Sequence, residues 1–307
     1  MPNGILPLYK PRGLTSFDCV AKIRRLYHTR KVGHSGTLDP SVDGVLPICI
    51  GNATKVVQFL VASGKQYQGS MTLGFATTTE DLDGDEIERM AIAKPFTTAE
   101  IDAALATMTG EITQIPPMFS AVKVNGRRLY DYARHGETVA RPERHITIGR
   151  FVQRQAATYD AETQTQTIYF TVDCSKGTYV RTLAVDVGKQ LGVPAVMSDL
   201  TRLKSGGFNL AETITFDQIE AAVAAGTEAD LLAPIEKALT QYPQVALTAA
   251  QWARVKNGAW LLADEGQQAN PDADTILALT YQDRIKCLYS YRTEEQRYKP
   301  FKMFSVE

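Results

Sequence analysis

Long hydrophobic runs are absent from this chain of 307 residues: nowhere do eighteen apolar residues stand together, so no segment reads as a membrane-spanning helix. The start, Met1-Pro2-Asn3-Gly4-Ile5-Leu6, lacks the charged lead and long apolar stretch of a secretory signal. Cysteine is scarce. Cys19, Cys49, Cys174 and Cys287 lie far apart with no C-x-x-C pair, and the four histidines form no ligand pattern with them. That excludes structural zinc and points to a reduced, cytoplasmic protein. Internal repeats and low-complexity tracts are missing too, which excludes a repeat architecture. Nor is there a net basic excess, since the formal charge is −1. Apolar residues make up 44% of the chain, enough to fold one large domain or two unequal ones without covalent staples.

The charges are unevenly spread. From Lys10 to His34, Lys10, Arg12, Lys22, Arg24, Arg25, Arg30 and Lys31 face one acid, Asp18. A second basic stretch holds Lys123, Arg127, Arg128, Arg134, Arg141 and Arg144 against Asp131, Glu137 and Glu143, while acids gather at Glu80 to Glu88 and Glu212 to Glu236. Cations on one face can neutralise phosphates in a chain that is nearly neutral overall. Either cluster alone reads equally well as a solvated helix face.

One loop draws attention, Gly33-His34-Ser35-Gly36-Thr37-Leu38-Asp39-Pro40, continued by Ser41-Val42-Asp43-Gly44-Val45-Leu46-Pro47. Its glycines open conformations closed to other residues, and Pro40 pushes Asp39 toward an extended backbone. Val45, Leu46, Ile48 and Ile50 can anchor the loop to a core, so a carboxylate sits on a stiff, polar segment joined to buried structure. Taken alone, Asp-Pro only starts a turn.

Around the loop, Thr15-Ser16 caps a helix with Phe17, Val20, Ile23 and Tyr27 on one face, and a second helix runs through Val57, Leu60 and Val61 to Ser63-Gly64. Tyr67, Gly69, Met71, Leu73 and Phe75 alternate with polar residues as in a half-buried strand. Asp81-Leu82-Asp83-Gly84-Asp85-Glu86 has neither the glycine position of an EF-hand nor the preceding apolar strand of a phosphatase nucleophile, so it reads as a polar turn. A helix over Thr98, Ile101, Leu105 and Met108 closes at Gly110, Asn125-Gly126 marks a hairpin, and Tyr130, Tyr132 and Ala133 form a short helix ending at Gly136. Ile146 and Ile148, then Ile168 to Cys174, read as strands, followed by a helix from Thr182 to Leu191. An Ala-rich helix spans Thr215 to Gly226, Tyr242-Pro243 is a hinge, and Thr248 to Gly258 is a capped helix. Thr275 to Tyr281, Arg284 to Tyr291 and Tyr298 to Phe304 are strands of a small β-rich unit. Strands without regular β-α-β alternation imply an α+β fold on a mixed, mainly antiparallel sheet.

Lys10-Pro11-Arg12-Gly13-Leu14-Thr15-Ser16 and the Asp39 loop resemble the first two signature stretches of the TruB family of tRNA pseudouridine synthases. Gln114-Ile115-Pro116-Pro117-Met118-Phe119-Ser120-Ala121-Val122-Lys123, Gly126-Arg127-Arg128-Leu129-Tyr130 and Cys174-Ser175-Lys176-Gly177-Thr178-Tyr179-Val180-Arg181-Thr182 extend the likeness in the family's order, as does the Thr77-x-Thr79-x-Asp81-x-x-Gly84 spacing. The likeness covers roughly residues 1 to 210, departing at Ser41-Val42-Asp43, which adds a second carboxylate, and at Phe119, where Tyr is frequent. It implies a pseudouridine-synthase fold, a bent sheet with the active-site cleft across its middle, in a catalytic domain over 1–240. A small β-rich accessory RNA-binding domain over 241–307 follows.

It also implies an isomerase acting on a uridine in the T loop of tRNA, position 55 in the family, with the T arm as partner. No cofactor, metal, membrane or obligatory protein partner is implied. Asp39 is the catalytic carboxylate by this likeness; Tyr67 stacks on the base, His34 supports the flipped-out position, Arg181 pairs with Asp39, Tyr179 completes the site and Leu203 packs against the uracil. Asp39 can attack the sugar or take a proton from it, and the base must leave its stack to be reached. The rival from another class is a catalytically silent tRNA-binding or tRNA-folding protein on the same scaffold. A phosphatase using Asp81 or Asp83 is a third class, disfavoured by its missing strand.

Overall fold

The apolar run after the Asp39 loop is buried on both sides. In the computed structural model, which describes residues 2–266, 271–273 and 275–305, β1 (Gly4–Lys10) leads into α1 (Ser16–Leu26), β2 (Val32–His34) and β3 (Asp43–Ile50). Along β3, Leu46, Ile48 and Ile50 pack with Val20 and Ile23 of α1, while Val45 and Cys49 point into a different cluster with Phe59 and Leu60. A strand covered on both faces needs apolar residues at every position, which is why this run does not alternate with polar ones. Thr15 caps α1, accepting from the Asp18 N–H while Asp18 reaches back to the Thr15 N–H. The buried stripe of α1 runs Ser16, Val20, Ile23, Tyr27, so Phe17 lies off it and is 69% exposed, contrary to the face expected from sequence.

After α2 (Val57–Ala62) comes β4 (Lys65–Leu73), which ends where Gly74, at φ +116°, turns the chain; Phe75 therefore opens a separate hairpin strand, β5 (Phe75–Thr77), paired with β6 (Glu86–Arg89). α3 (Thr98–Thr107) and β7 (Gly110–Gln114) precede an excursion holding the hairpin β8 (Lys123–Val124) and β9 (Arg127–Arg128), then α4 (Leu129–Arg134). Asn125 and Gly126 both take positive φ at the hairpin turn, as the Asn-Gly pair implied. The chain continues through β10 (Arg144–Asp160), β11 (Thr165–Cys174), α5 (Val180–Leu191) and β12 (Ala195–Ser205). The order β1-β3-β12-β4-β11-β10-β7, with β2 on β3 and a short strand on β12, makes a nine-stranded sheet. Among the described strands of that sheet, only β12 and β3 run parallel, so it is mixed and mainly antiparallel. α3 and α5 cover one face through Ile101, Leu105, Leu183 and Val187 against Met71, Ile168 and Phe170.

β12 lies in the middle and was not legible as a strand, because Asp199, Arg202 and Lys204 interrupt any apolar alternation. Its parallel pairing with β3 brings the Arg202 backbone against Gly44. A Cβ on Gly44, whose φ is +111°, would sit 2.3 Å from the Arg202 carbonyl oxygen. Gly44→Ala should lower unfolding stability by about 2 kcal/mol or more in urea titration, since neither backbone can retreat from the sheet.

A second sheet of five strands lies beyond Pro243, joined to the first by Phe59, Phe304, Leu288 and Ala278. Tyr242, at the expected hinge, packs its ring edge-on against Phe59 with centroids 5.7 Å apart, so the junction is anchored. No helix among the described residues is long and apolar enough to cross a membrane.

Candidate active site

The Asp39 loop is held from several sides at once. Ser16 Oγ accepts from the Leu38 N–H at 2.9 Å and lies 3.2 Å from the Leu38 carbonyl, while the Gly13 N–H donates to the Pro40 carbonyl at 2.9 Å. Lys10, fully buried, donates from Nζ to the carbonyls of Val42 (2.6 Å) and Pro40 (3.3 Å). Burial pulls the Lys10 ammonium below its ordinary pKa, partly offset by the nearby carboxylates of Asp43 and Asp39. Lys10 is thus a loop anchor and leaves the basic cluster to which the sequence assigned it. Asp43 is bound away from the cleft: Thr201 donates to Oδ1 at 2.6 Å, Tyr9 to Oδ2 at 2.8 Å, and Arg12 approaches to 3.3 Å. Burial would raise its pKa, but these contacts hold it below the usual carboxylate value.

Arg181 bridges to the loop. Its Nη2 stands 3.1 Å from Asp39 Oδ2 and donates to the Phe119 carbonyl at 3.0 Å, Nη1 donates to the Thr79 carbonyl at 2.9 Å, and Nε lies 3.6 Å from Asp81 Oδ2. Helix α5 begins at Val180 rather than Thr182, so Arg181 sits inside its first turn. A cation is unfavourable there, and the two carboxylates offset it. Asp81 is buried rather than an ordinary polar-turn residue; Thr79 Oγ1 and the Asp83 N–H both donate to its Oδ1, at 2.5 and 3.1 Å. Burial pushes its carboxyl upward, opposed by Thr79 and Arg181. Only folding shows that this acid shares the guanidinium.

Tyr67 is buried on β4 directly opposite Arg202 of β12, and burial raises its hydroxyl pKa. His34 accepts the Gly36 N–H at Nδ1, at 3.3 Å, and burial, reinforced by the Arg202 charge, draws the imidazole below its ordinary value. A neutral ring accepting at Nδ1 carries its proton on Nε2. Tyr179 precedes α5, its backbone gripped by the buried Gln114 amide, which accepts from the Tyr179 N–H at 2.8 Å and donates to its carbonyl at 3.0 Å. Leu203 is half-buried at a bulge where Arg202 pairs with Tyr67 but Lys204 already pairs with Gln66.

Residues 24–180 match the N-terminal domain of the TruB family pseudouridylate synthases, and residues 181–240 match the tRNA pseudouridylate synthase B C-terminal domain. The chain belongs to the TruB family. The tRNA pseudouridine synthase B of Lactiplantibacillus plantarum is 80% identical over 306 residues, covering 100% of both chains, and that of Limosilactobacillus reuteri is 53% identical, covering 99% of both. The fold is that of the solved Cbf5-Nop10-Gar1 complex, with TM-score 0.73 and 27% identity over 99% of this chain and 85% of that one. An H/ACA RNP structure bound to a substrate RNA containing 2′-deoxyuridine gives TM-score 0.72 and 25% identity over 98% and 85%. As a TruB-family member the chain is a pseudouridine synthase.

Sequence reasoning assigned no role to several neighbours of the candidate site, among them Asp81, Gln114, Arg202 and Lys65. Lys65 Nζ lies near the carbonyls of Val61 and Ser63, and burial together with Arg202 draws its pKa down to about 8. Nothing around Lys65 in the sequence signals this, because it is flanked by strands distant in sequence, paired with Cys174 and Ser205. Among the described residues no group of three or more His, Cys, Asp or Glu could hold a metal ion.

Proposed function

We propose that this chain converts uridine to pseudouridine at position 55 in the T loop of tRNA, in the cytoplasm, through the Asp39 carboxylate. The observation that carries the reading is the Arg181 guanidinium 3.1 Å from Asp39 Oδ2 on a loop tied down on both flanks. Arg181 takes one carboxylate oxygen, and Asp39, with its side chain 39% exposed, can meet a ribose. The bond from C1′ to N1 breaks, the uracil turns, C1′ joins C5, the C5 proton leaves and N1 takes up a proton, so atoms balance and no redox equivalent is consumed. The flipped uridine stacks on Tyr67 with Leu203 against the uracil, His34 offers Nε2–H to the RNA, and Tyr179 closes the site beside Arg181. Residues 241–307 serve as the accessory RNA-binding domain.

Tritium release from tRNA carrying 5-tritiated uridine, with the product mapped to position 55, tests the reading. Tight tRNA binding without tritium release would leave a silent RNA-binding or RNA-folding protein instead.

Phosphate contacts fall to fewer cations than the sequence offered. Lys22 pairs with Glu220 at 2.8 Å, Arg127 with Glu137 at 2.9 Å, and Arg12 with Asp199 at 2.7 Å. Arg25, Arg30 and Lys31 are exposed and have no ion pair among the described residues. Changing these three to Gln should flatten the salt dependence of tRNA binding by roughly 0.7 to 0.9 log unit per log salt for each phosphate contact removed. An unchanged slope in the triple variant would make this an ordinary solvated face.

A further inference from the structure

Among the described residues Arg202 is the largest fully buried side chain, and no carboxylate there pairs with it. A buried guanidinium without a counter-charge is costly, so its partners matter. Its backbone partners are carbonyls of the segment around Asp39, and its charge also faces the Tyr67 hydroxyl: Nε donates to Val45 at 2.7 Å, Nη2 to Gly36 at 3.2 Å and Nη1 to Thr37 at 3.5 Å. The fork thus grips the loop two and three residues before Asp39 and again six residues after it. Its backbone is fixed in turn, register-paired with Gly44 of β3 on one side and with Tyr67 of β4 on the other. The next residue, Leu203, is the extra residue of the bulge, so the chain direction that buries Arg202 also sets where Leu203 emerges.

Resting on the function proposed above, we infer that Arg202 is the positioning residue that holds the Asp39 loop at a set distance from Tyr67 and Leu203, and so aligns the ribose-facing carboxylate with the base platform. It touches no substrate. It acts through the Gly36, Thr37 and Val45 carbonyls, and its planar fork is suited to this because three separated donors must reach three fixed acceptors. An ammonium at the same place can satisfy only one part of the loop.

The test uses the full chain with Arg202→Lys and Arg202→Gln, measuring tRNA affinity, single-turnover tritium release corrected for the folded fraction, and amide hydrogen exchange. Arg202→Lys is expected to bind tRNA within about threefold of wild type while its single-turnover rate falls about a hundredfold, the loss that a misplacement near 1 Å produces. Exchange should quicken at residues 35–38 and not in β10 or β11. Arg202→Gln should show the same pattern with a larger rate loss. A rate per folded molecule within threefold of wild type in both variants would overturn the inference, as would faster exchange throughout the sheet that accounts for the whole loss. Failure of both variants to fold would make Arg202 a stability residue only, again overturning it. Absence of turnover by the wild-type chain, by contrast, would overturn the functional reading itself.

Discussion

Asp39→Asn is expected to fold and to bind tRNA as the wild type does, yet to lose nearly all turnover. The amide fills the same volume on a loop whose anchors, Ser16, Lys10 and Arg202, bind the backbone rather than the Asp39 side chain. What vanishes is the charge that can attack C1′ or accept a sugar proton. Single-turnover tritium release decides the matter: retention of more than about a tenth of the wild-type rate would remove Asp39 from the catalytic role. Asp43→Asn is the matched control. Its carboxylate is committed to Thr201, Tyr9 and Arg12, so the change should cost about 1 to 3 kcal/mol of stability while leaving the rate per folded molecule nearly intact.

Arg181→Lys should slow the chemical step by about two orders of magnitude or more, roughly 2.7 to 4 kcal/mol, with tRNA affinity nearly unchanged. The guanidinium reaches four partners at once: Asp39, Asp81 and the carbonyls of Thr79 and Phe119. A lysine keeps one charge but has no planar fork, so it can serve the buried Asp81 or the reacting Asp39 and not both in the same geometry. Arg181→Met should be slower still and also less stable, by about 3 to 5 kcal/mol, because Asp81 is left buried and unpaired. The pH dependence separates the two losses. Burial already lifts the Asp81 carboxyl, and removing Arg181 lifts it further. A carboxyl whose folded pKa exceeds its unfolded value binds more protons when folded, so stability falls as pH rises through that range. The stability deficit of Arg181→Met should therefore shrink on acidification while its chemical defect persists. A deficit that stays constant with pH would mean that Asp81 does not depend on Arg181.

The parts of this fold that read correctly from sequence are those set by neighbours along the chain. The caps at Thr15 and Thr248, the Asn125-Gly126 turn and the Gly192 stop of α5 depend on contacts within a few residues. So does the alternation of β4, whose one covered face writes a period of two into Tyr67, Gly69, Met71 and Leu73. β12 escaped because its main pairing lies with strands more than 120 residues upstream, and Asp199 and Arg202 find their partners in segments as far away, Arg12 and the Asp39 loop.

By itself the sequence determined that an acid-bearing, Pro-stiffened loop sits on a buried apolar strand, and that Tyr67, Tyr179 and Arg181 occupy segments of one family's pattern. Tertiary structure decided which charges are spent inside the protein. Lys10 reads as a surface cation until β1 and β3 bury it against Val42, Arg202 carries no signal in the sequence until the loop folds over it, and Asp81 reads as a turn acid until α5 brings Arg181 alongside. The physical reason is that the cost of burying a charge, and the carbonyls or carboxylates that offset it, depend on distances across the sheet. Sequence separation carries no record of those distances.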